Sequence, residues 1–400
     1  MTDKDLQFDF DKIINRCDVP ALKTHPMVLG DKGNNLFAAG VADMDFRPSP
    51  AVIKAMQARL DHGVFGYETV PEGLIPALTG WFAQRHGWEL NPQHILRSPN
   101  ILNALAMAVS LFTGEGDGVI VQPPVFFDFF DVISENSRVV VENPLILEGG
   151  RYSMDFEDLE RKAADPRCRM LFLCNPHNPV GRVWDSSELE MLGTICARHE
   201  VMVVSDEIHC DLLYNPHKYT SFSALENDCA KNSIICISPA KTFNLASCCS
   251  SFTIIQNDNT REIFSSGNSR LTVNKNNAFA SAAMEAAYGS GGPWLDAVLA
   301  YLAQNKALVS ERLKGMEWVE LIEAEGTFLL WLDFRKTGMI PSKLSRFLKE
   351  KASWAVTRGE AFGKQGEGFA RLNIACPRAL LEAALERLES AMDIFQSSSR

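Results

Sequence analysis

"RMLFLCNPHNPVG", Arg169 to Gly181, passes from an unbroken apolar run into a polar turn punctuated by two prolines. A strand with one wet face alternates apolar and polar residues. An unbroken run suits a strand covered on both faces, the condition of a parallel sheet between helices. The pattern recurs in "GVIVQPP" (Gly118 to Pro124), "VMVVSDE" (Val201 to Glu207), "SIICIS" (Ser233 to Ser238) and "SSFTIIQ" (Ser250 to Gln256). Between these runs lie segments such as "SSELEMLGTICARHE", with apolar residues at helical spacing behind an acidic start. The alternation predicts an α/β fold built on a mostly parallel sheet.

The rest of the chain bounds that reading. Four hundred residues exceed one hydrophobic core and fit two packed units. After "GGPW" (Gly291 to Trp294) the pattern changes to a long helical stretch, then "GTFLLWLDF" and two helical segments separated by "FARLNIACP". We expect an N-terminal arm that joins a small domain over 1–48, a large ligand-binding domain over 49–290, and a connecting helix with an α+β small domain over 291–400. A net charge of −11 without a basic stripe argues against nucleic acid as a partner. No run approaches the ~18 apolar residues of a membrane span. The acidic start "MTDKDLQFDFDK" lacks the basic and apolar regions of a signal peptide, so a cytoplasmic protein is expected. Ten cysteines occur without a CxxC, which removes zinc-ribbon and thioredoxin readings and leaves them as small core hydrophobes.

Open α/β sheets bind ligands beyond the carboxyl ends of their strands. There the runs deliver Asn175 and Asn178 from "LFLCNPHNPVG", Asp206, Glu207 and His209 from "VVSDEIHCD", and Ser238 and Lys241 from "CISPAKTFN". A lysine amine forms Schiff bases, a carboxylate pairs with a pyridinium nitrogen, and an amide donates to a phenolate oxygen. Pyridoxal phosphate (PLP) asks these three things of its protein. Each residue also has a plainer reading. Lys241 would be a turn lysine, Asp206 a helix N-cap, Asn178 a turn terminator, His209 a core histidine, Arg371 a surface ion pair and Tyr67 interface packing. Asp43 and Asp45 read as a loop pair in preference to metal ligands.

N-P-H-N-P-V-G, D-E-I-H-x-D and S-P-A-K-T-F-N-L-A, in that order, resemble the fold-type-I PLP enzymes of the aspartate aminotransferase superfamily, the class I/II aminotransferases. The nearest likeness is to the cystathionine β-lyase (C–S lyase) branch. "VADMDF" (Val41 to Phe46), "HGVFGYE" (His62 to Glu68), "GDGVIVQPPVFF" (Gly116 to Phe127) and "GEGFARLNIACPR" (Gly366 to Arg378) extend the resemblance along nearly the whole chain.

The resemblance implies a PLP-dependent transferase fold of type I, with a seven-stranded sheet in the large domain and a small domain drawn from both chain ends. It implies that Lys241 holds the cofactor as a Schiff base and moves the Cα proton, and that Asp206 keeps the pyridine nitrogen protonated. Asn178 would bond the phenolic oxygen, and His209 would support Asp206 or the ring. Arg371 would clamp the substrate carboxylate. Ser238 and the backbone N–H groups near Asn100 and Ile101 would hold the phosphate. Tyr67 would reach the phosphate of a neighbouring subunit in a homodimer with shared sites.

Several positions depart from the family pattern. Phe126 stands where a tyrosine stacks on the ring, Asn100 and Ser247 replace glycines, Gly40 replaces a tryptophan, and Cys249 stands where aspartate aminotransferases carry a phosphate-binding arginine. None of these touches the lysine, aspartate and asparagine set. The expected reaction is β-elimination on a sulfur-containing L-amino acid. Transamination to a 2-oxo acid, or a regulatory PLP-binding role with little turnover, are the alternatives.

Overall fold

Seven strands form the large sheet, in the order Ile95–Ser98, Ser251–Ile254, Ile234–Ile237, Met202–Asp206, Cys168–Cys174, Gly118–Val121, Val139–Glu142. This computed structural model describes residues 8–30, 35–273 and 275–399. The first residues of the acidic N-terminus, and 31–34 of the Gly- and Asn-rich arm, lie outside them. Parallel pairing runs from Val139–Glu142 through to Ile234–Ile237. Ser251–Ile254 is antiparallel to both of its neighbours. The link 238–250 carries only the one-turn helix Pro239–Thr242 in place of a crossover helix, so the chain comes back beside the strand it has just left.

The unbroken apolar runs are explained by two cores, one on each face of this sheet. Ile120, Leu171, Leu173, Val203, Ile235 and Ile237 pack into one. Val119, Val121, Met170, Phe172, Val204 and Cys236 pack into the other. Successive strand side chains point to opposite faces, so two apolar faces require apolar residues at every position. The helices that supply the cover start where the sequence places caps. Asp185 and Glu188 close a capping box on Ser186–Arg198, which turns Leu189, Leu192 and Cys196 inward.

A second, four-stranded antiparallel sheet runs in the order Glu320–Leu321, Leu329–Asp333, Phe369–Asn373, Thr357–Arg358. The helix Gly292–Leu313 is tied to it by Asn305, whose buried amide donates to the carbonyls of Ile374 and Cys376, each at 3.0 Å. Near the other end of the chain, Phe37–Ala38 pairs in parallel with Trp354–Ala355. Seven of the ten cysteines are buried and all are free, as expected for thiols acting as core residues. No helix among the described residues is long and apolar enough to cross a membrane.

Candidate active site

Asp206 ends the strand Met202–Asp206, and Lys241 follows the adjacent strand Ile234–Ile237. Their register, Asp206 opposite Cys236, sets both residues at one edge of the sheet. Ser238 caps the helix that carries Lys241: its Oγ accepts from the Ala240 N–H at 3.2 Å and donates to the Ser250 carbonyl at 3.0 Å. The hydroxyl that the sequence singles out therefore shapes the turn of the lysine.

Lys241 Nζ donates to the Ala42 carbonyl at 2.6 Å. Two asparagines hold that carbonyl in place. Asn373 Nδ2 donates to the Val41 and Asp43 carbonyls, each at 2.7 Å, from the second sheet. Asn244 Nδ2 donates to the carbonyls of Met44 and Phe46 at 2.9 and 2.8 Å, and its Oδ1 accepts from the Met44 N–H. Asn244 does this from a left-handed backbone (φ 55°), a conformation asparagine tolerates better than most residues. "VADMDF" is thus a strap between the lysine turn and the strand of Arg371. Its two carboxylates are paired, Asp43 with Arg16 at 2.6 Å and Asp45 with Lys23 at 2.8 Å, so they form the ion-paired loop expected of them.

Arg371 is almost fully buried in the strand Phe369–Asn373. Nη1 donates to Asn178 Oδ1 at 2.9 Å and Nη2 to the Gly40 carbonyl at 2.7 Å, while Nε has no partner. Burial lowers its pKa to about 9, with Asp128 acting in the opposite direction. Because Arg371 occupies Oδ1 of Asn178, the amide is oriented and its Nδ2 remains as a donor.

A cavity of about 650 Å³ opens over this arrangement, lined among others by Gly40, Ala42, Phe126, Asp128, Lys241 and Arg371. Burial and the charge of Arg371 lower the pKa of Lys241. Burial pushes Asp206 up to about 7, ahead of the opposing hydrogen bond from the Ile208 N–H (3.1 Å) and the charge of Lys241. That bond caps a turn; no helix begins there, so the helix N-cap of the plainer reading is not formed.

A family model described as aminotransferase class I and II matches residues 35–388. The chain belongs to that family. It is 41% identical to the cystathionine β-lyase PatB of Bacillus subtilis, over 96% of this chain and all of the relative. The crystal structure of cystalysin from Treponema denticola, which contains a pyridoxal 5'-phosphate cofactor, superposes with a TM-score of 0.92 at 32% identity, covering 97% of this chain and 100% of that one. The PLP-bound C–S lyase of Staphylococcus hominis, in complex with L-cycloserine, gives 0.89 at 28% identity over 97% and 98% of the two chains.

The side chains of this aminotransferase-family member fit PLP. Asp206 is a buried carboxylate with no cation hydrogen-bonded to it, which a protonated ring nitrogen would supply. Asn178 Nδ2 has no acceptor among the described residues while its Oδ1 is held by Arg371, and Lys241 is an amine of lowered pKa on the cavity wall with Arg371. Ser238 and the start of the helix Ile101–Phe112 lie at one end of the sheet, on strands that both pair with Ser251–Ile254. At the arginine's place Cys249 lies 3.5 Å from Ser238 Oγ, its thiol pushed up to about 11 by burial and hence neutral.

The remaining expected residues are placed less directly. Asn100 caps the helix through the Asn103 N–H at 2.8 Å, and Ile101 is buried beneath it. Phe126 stands on the cavity wall against Phe127 and Phe129. No hydrogen bond joins His209 to Asp206; the imidazole is buried edge-on to Phe328 and its Nδ1 is unpartnered. Tyr67 is fully exposed and away from the cavity.

One residue was missed outright. Asp211, the last residue of "DEIHCD", accepts from Thr242 Oγ1 at 2.8 Å and Trp81 Nε1 at 2.9 Å, and lies 2.7 Å from His86 Nε2. It anchors the residue next to Lys241, and its presence in the motif was the available signal. His86, Cys210 and Asp211 bring donor atoms within 4.8 Å of one another, but the Asp211 oxygens are already occupied by these three neighbours.

Proposed function

We propose that the chain catalyses PLP-dependent β-elimination on an L-amino acid with sulfur on Cβ, giving a thiol, pyruvate and ammonia. The whole-length likeness to the Bacillus subtilis cystathionine β-lyase carries this reading. PLP supplies the electron sink that makes the Cα proton removable. Lys241 would anchor the cofactor and, when free of it, take that proton; burial and the charge of Arg371 shift its amine toward the neutral form a base needs. Arg371 receives the substrate carboxylate with its planar fork. Asn178 holds Arg371 through Oδ1 and offers Nδ2 to the phenolic oxygen. Asp206 keeps the ring nitrogen protonated. Ser238 and the N–H groups of Asn100 and Ile101 take the phosphate, Phe126 covers one ring face, and His209 packs behind Asp206.

The same proposal includes a homodimer in which Tyr67 completes the neighbouring subunit's phosphate site. Tyr67 is exposed beside Val64, Phe65 and Leu60, an apolar group suited to cover by a second copy. It also includes a large domain over 49–290, with 291–400 and the arm 1–48 forming the small one. Ten unpaired cysteines favour a reducing, cytoplasmic setting.

Purified protein given cystathionine and no acceptor should release pyruvate. No pyruvate there, with full amino transfer when a 2-oxo acid is present, would replace elimination by transamination.

A further inference from the structure

The cavity over Lys241 and Arg371 carries a carboxyl group that the elimination chemistry does not use. Asp128 begins the helix Asp128–Glu135, two residues beyond Phe126, and lines the same wall. It is half-buried and makes no hydrogen bond or ion pair with any described residue. The other carboxylate on the lining, Glu360, has Arg358 at 3.9 Å. Its sequence neighbours Phe127 and Phe129 both pack on Phe126, and Phe126 and Phe127 line the cavity with it. Burial there, and then the charge of Asp131, raise the pKa of its carboxyl, while Lys241 and Arg371 act the other way.

Substrate binding changes that balance. An α-carboxylate on Arg371 neutralises the guanidinium, and Lys241 carries no charge until it takes the Cα proton. Asp128 is then a partly desolvated carboxyl group on the wall of the substrate cavity with little counter-charge left, and its ionised form is costly unless a cation meets it. With the α-carboxylate directed to Arg371 and the α-amine to the cofactor, the remaining part of the substrate is the group beyond sulfur.

We propose that Asp128 is a specificity residue that selects thioether amino acids whose leaving half carries an ammonium group. This rests on the elimination reading above and adds a substrate class to it. The contact is a charge-assisted hydrogen bond at a half-buried carboxylate, which corresponds to a preference on the order of 10- to 100-fold.

The test uses an isosteric pair on the cofactor-loaded enzyme, S-(2-aminoethyl)-L-cysteine and S-propyl-L-cysteine, which differ in a terminal ammonium against a methyl. Pyruvate release should give a kcat/KM ratio on the order of 10 to 100 in favour of the aminoethyl compound. Asp128→Asn should bring that ratio near one, and Asp128→Glu should restore part of it. A wild-type ratio near one overturns the proposal. So does a ratio that Asp128→Asn leaves in place because both substrates fall together, which would make Asp128 a counter-charge for Lys241 and Arg371. If neither compound yields pyruvate, cystathionine alone judges the elimination reading, and Asp128 is judged separately by binding. Dissociation constants from the change in cofactor absorbance must then show the same discrimination in the wild type and its loss in Asp128→Asn, or the proposal falls too. Should Asp128→Asn fail to fold, Asp128→Ser and Asp128→Glu carry the same comparison.

Discussion

Nη1 of Arg371 donates to Oδ1 of Asn178 across 2.9 Å, joining a strand of the second sheet to the turn that follows a central strand of the first. The bond orients the amide and holds the guanidinium at the cavity wall. Lysine at 371 has no planar fork to serve Asn178, the Gly40 carbonyl and a carboxylate together. Arg371→Lys should therefore lower kcat/KM by roughly 30- to 1000-fold, about 2–4 kcal/mol, chiefly through KM. Steady-state kinetics with cystathionine checks this. A KM within a few-fold of wild type would mean that the carboxylate is held elsewhere.

Asp206 makes the cofactor-free protein sensitive to pH. Burial raises its carboxyl from 3.8 to about 7, so the folded state holds the proton more tightly than the unfolded state. The contribution to stability is full below the unfolded value and is lost as pH rises through about 7. Asp206→Asn should raise the unfolding free energy of the cofactor-free protein more at pH 8 than at pH 5, by an upper limit on the order of 3 kcal/mol. The same variant should lose turnover once loaded. Equal gains at both pH values would mean that another group titrates.

Much of this site was legible because strands deliver side chains to fixed places. Asn178, Asp206 and Lys241 follow apolar runs, and runs that are apolar at every position imply a sheet buried on both faces. The reversed strand Ser251–Ile254 was not legible, since a buried strand has the same composition in either direction. Asp211 and Asp128 were missed for a different reason. Their importance lies in contacts from distant segments, with Asp211 meeting Trp81 from 130 positions away. Ala42 offers only a backbone carbonyl, which leaves no trace in residue type.

Asp211 is buried, which works to raise its pKa, yet hydrogen bonding and charge from His86, with Thr242 and Trp81, lower it overall. Its stabilising contribution is present above the unfolded aspartate value and is lost as pH falls through the lower folded one. Asp211→Ala would leave the Thr242, Trp81 and His86 donors without an acceptor around the Lys241 turn. A loss of about 2–5 kcal/mol in unfolding free energy is expected, together with weaker cofactor retention. Asp211→Asn keeps an acceptor oxygen and should lose less. Denaturant unfolding at pH 7 and cofactor absorbance after dialysis measure the two effects; wild-type values for the alanine variant would remove Asp211 from the support of Lys241.

Tyr67 tests the shared-site dimer. Tyr67→Ala and Lys241→Ala should each be nearly inactive alone, the first by losing a phosphate contact and the second by losing the base. If Tyr67 serves the neighbouring subunit, a mixed dimer has one site with both residues and one with neither. Random reassortment of equal amounts makes half the dimers mixed, so about a quarter of wild-type activity should return. If Tyr67 serves its own chain, each site of the mixed dimer carries one defect and nothing returns. Co-expression of the two variants under different affinity tags, with tandem purification, isolates the mixed dimer, which should show about half of wild-type activity. Activity no greater than the sum of the two parents would mean that Tyr67 does not serve the neighbouring subunit's site.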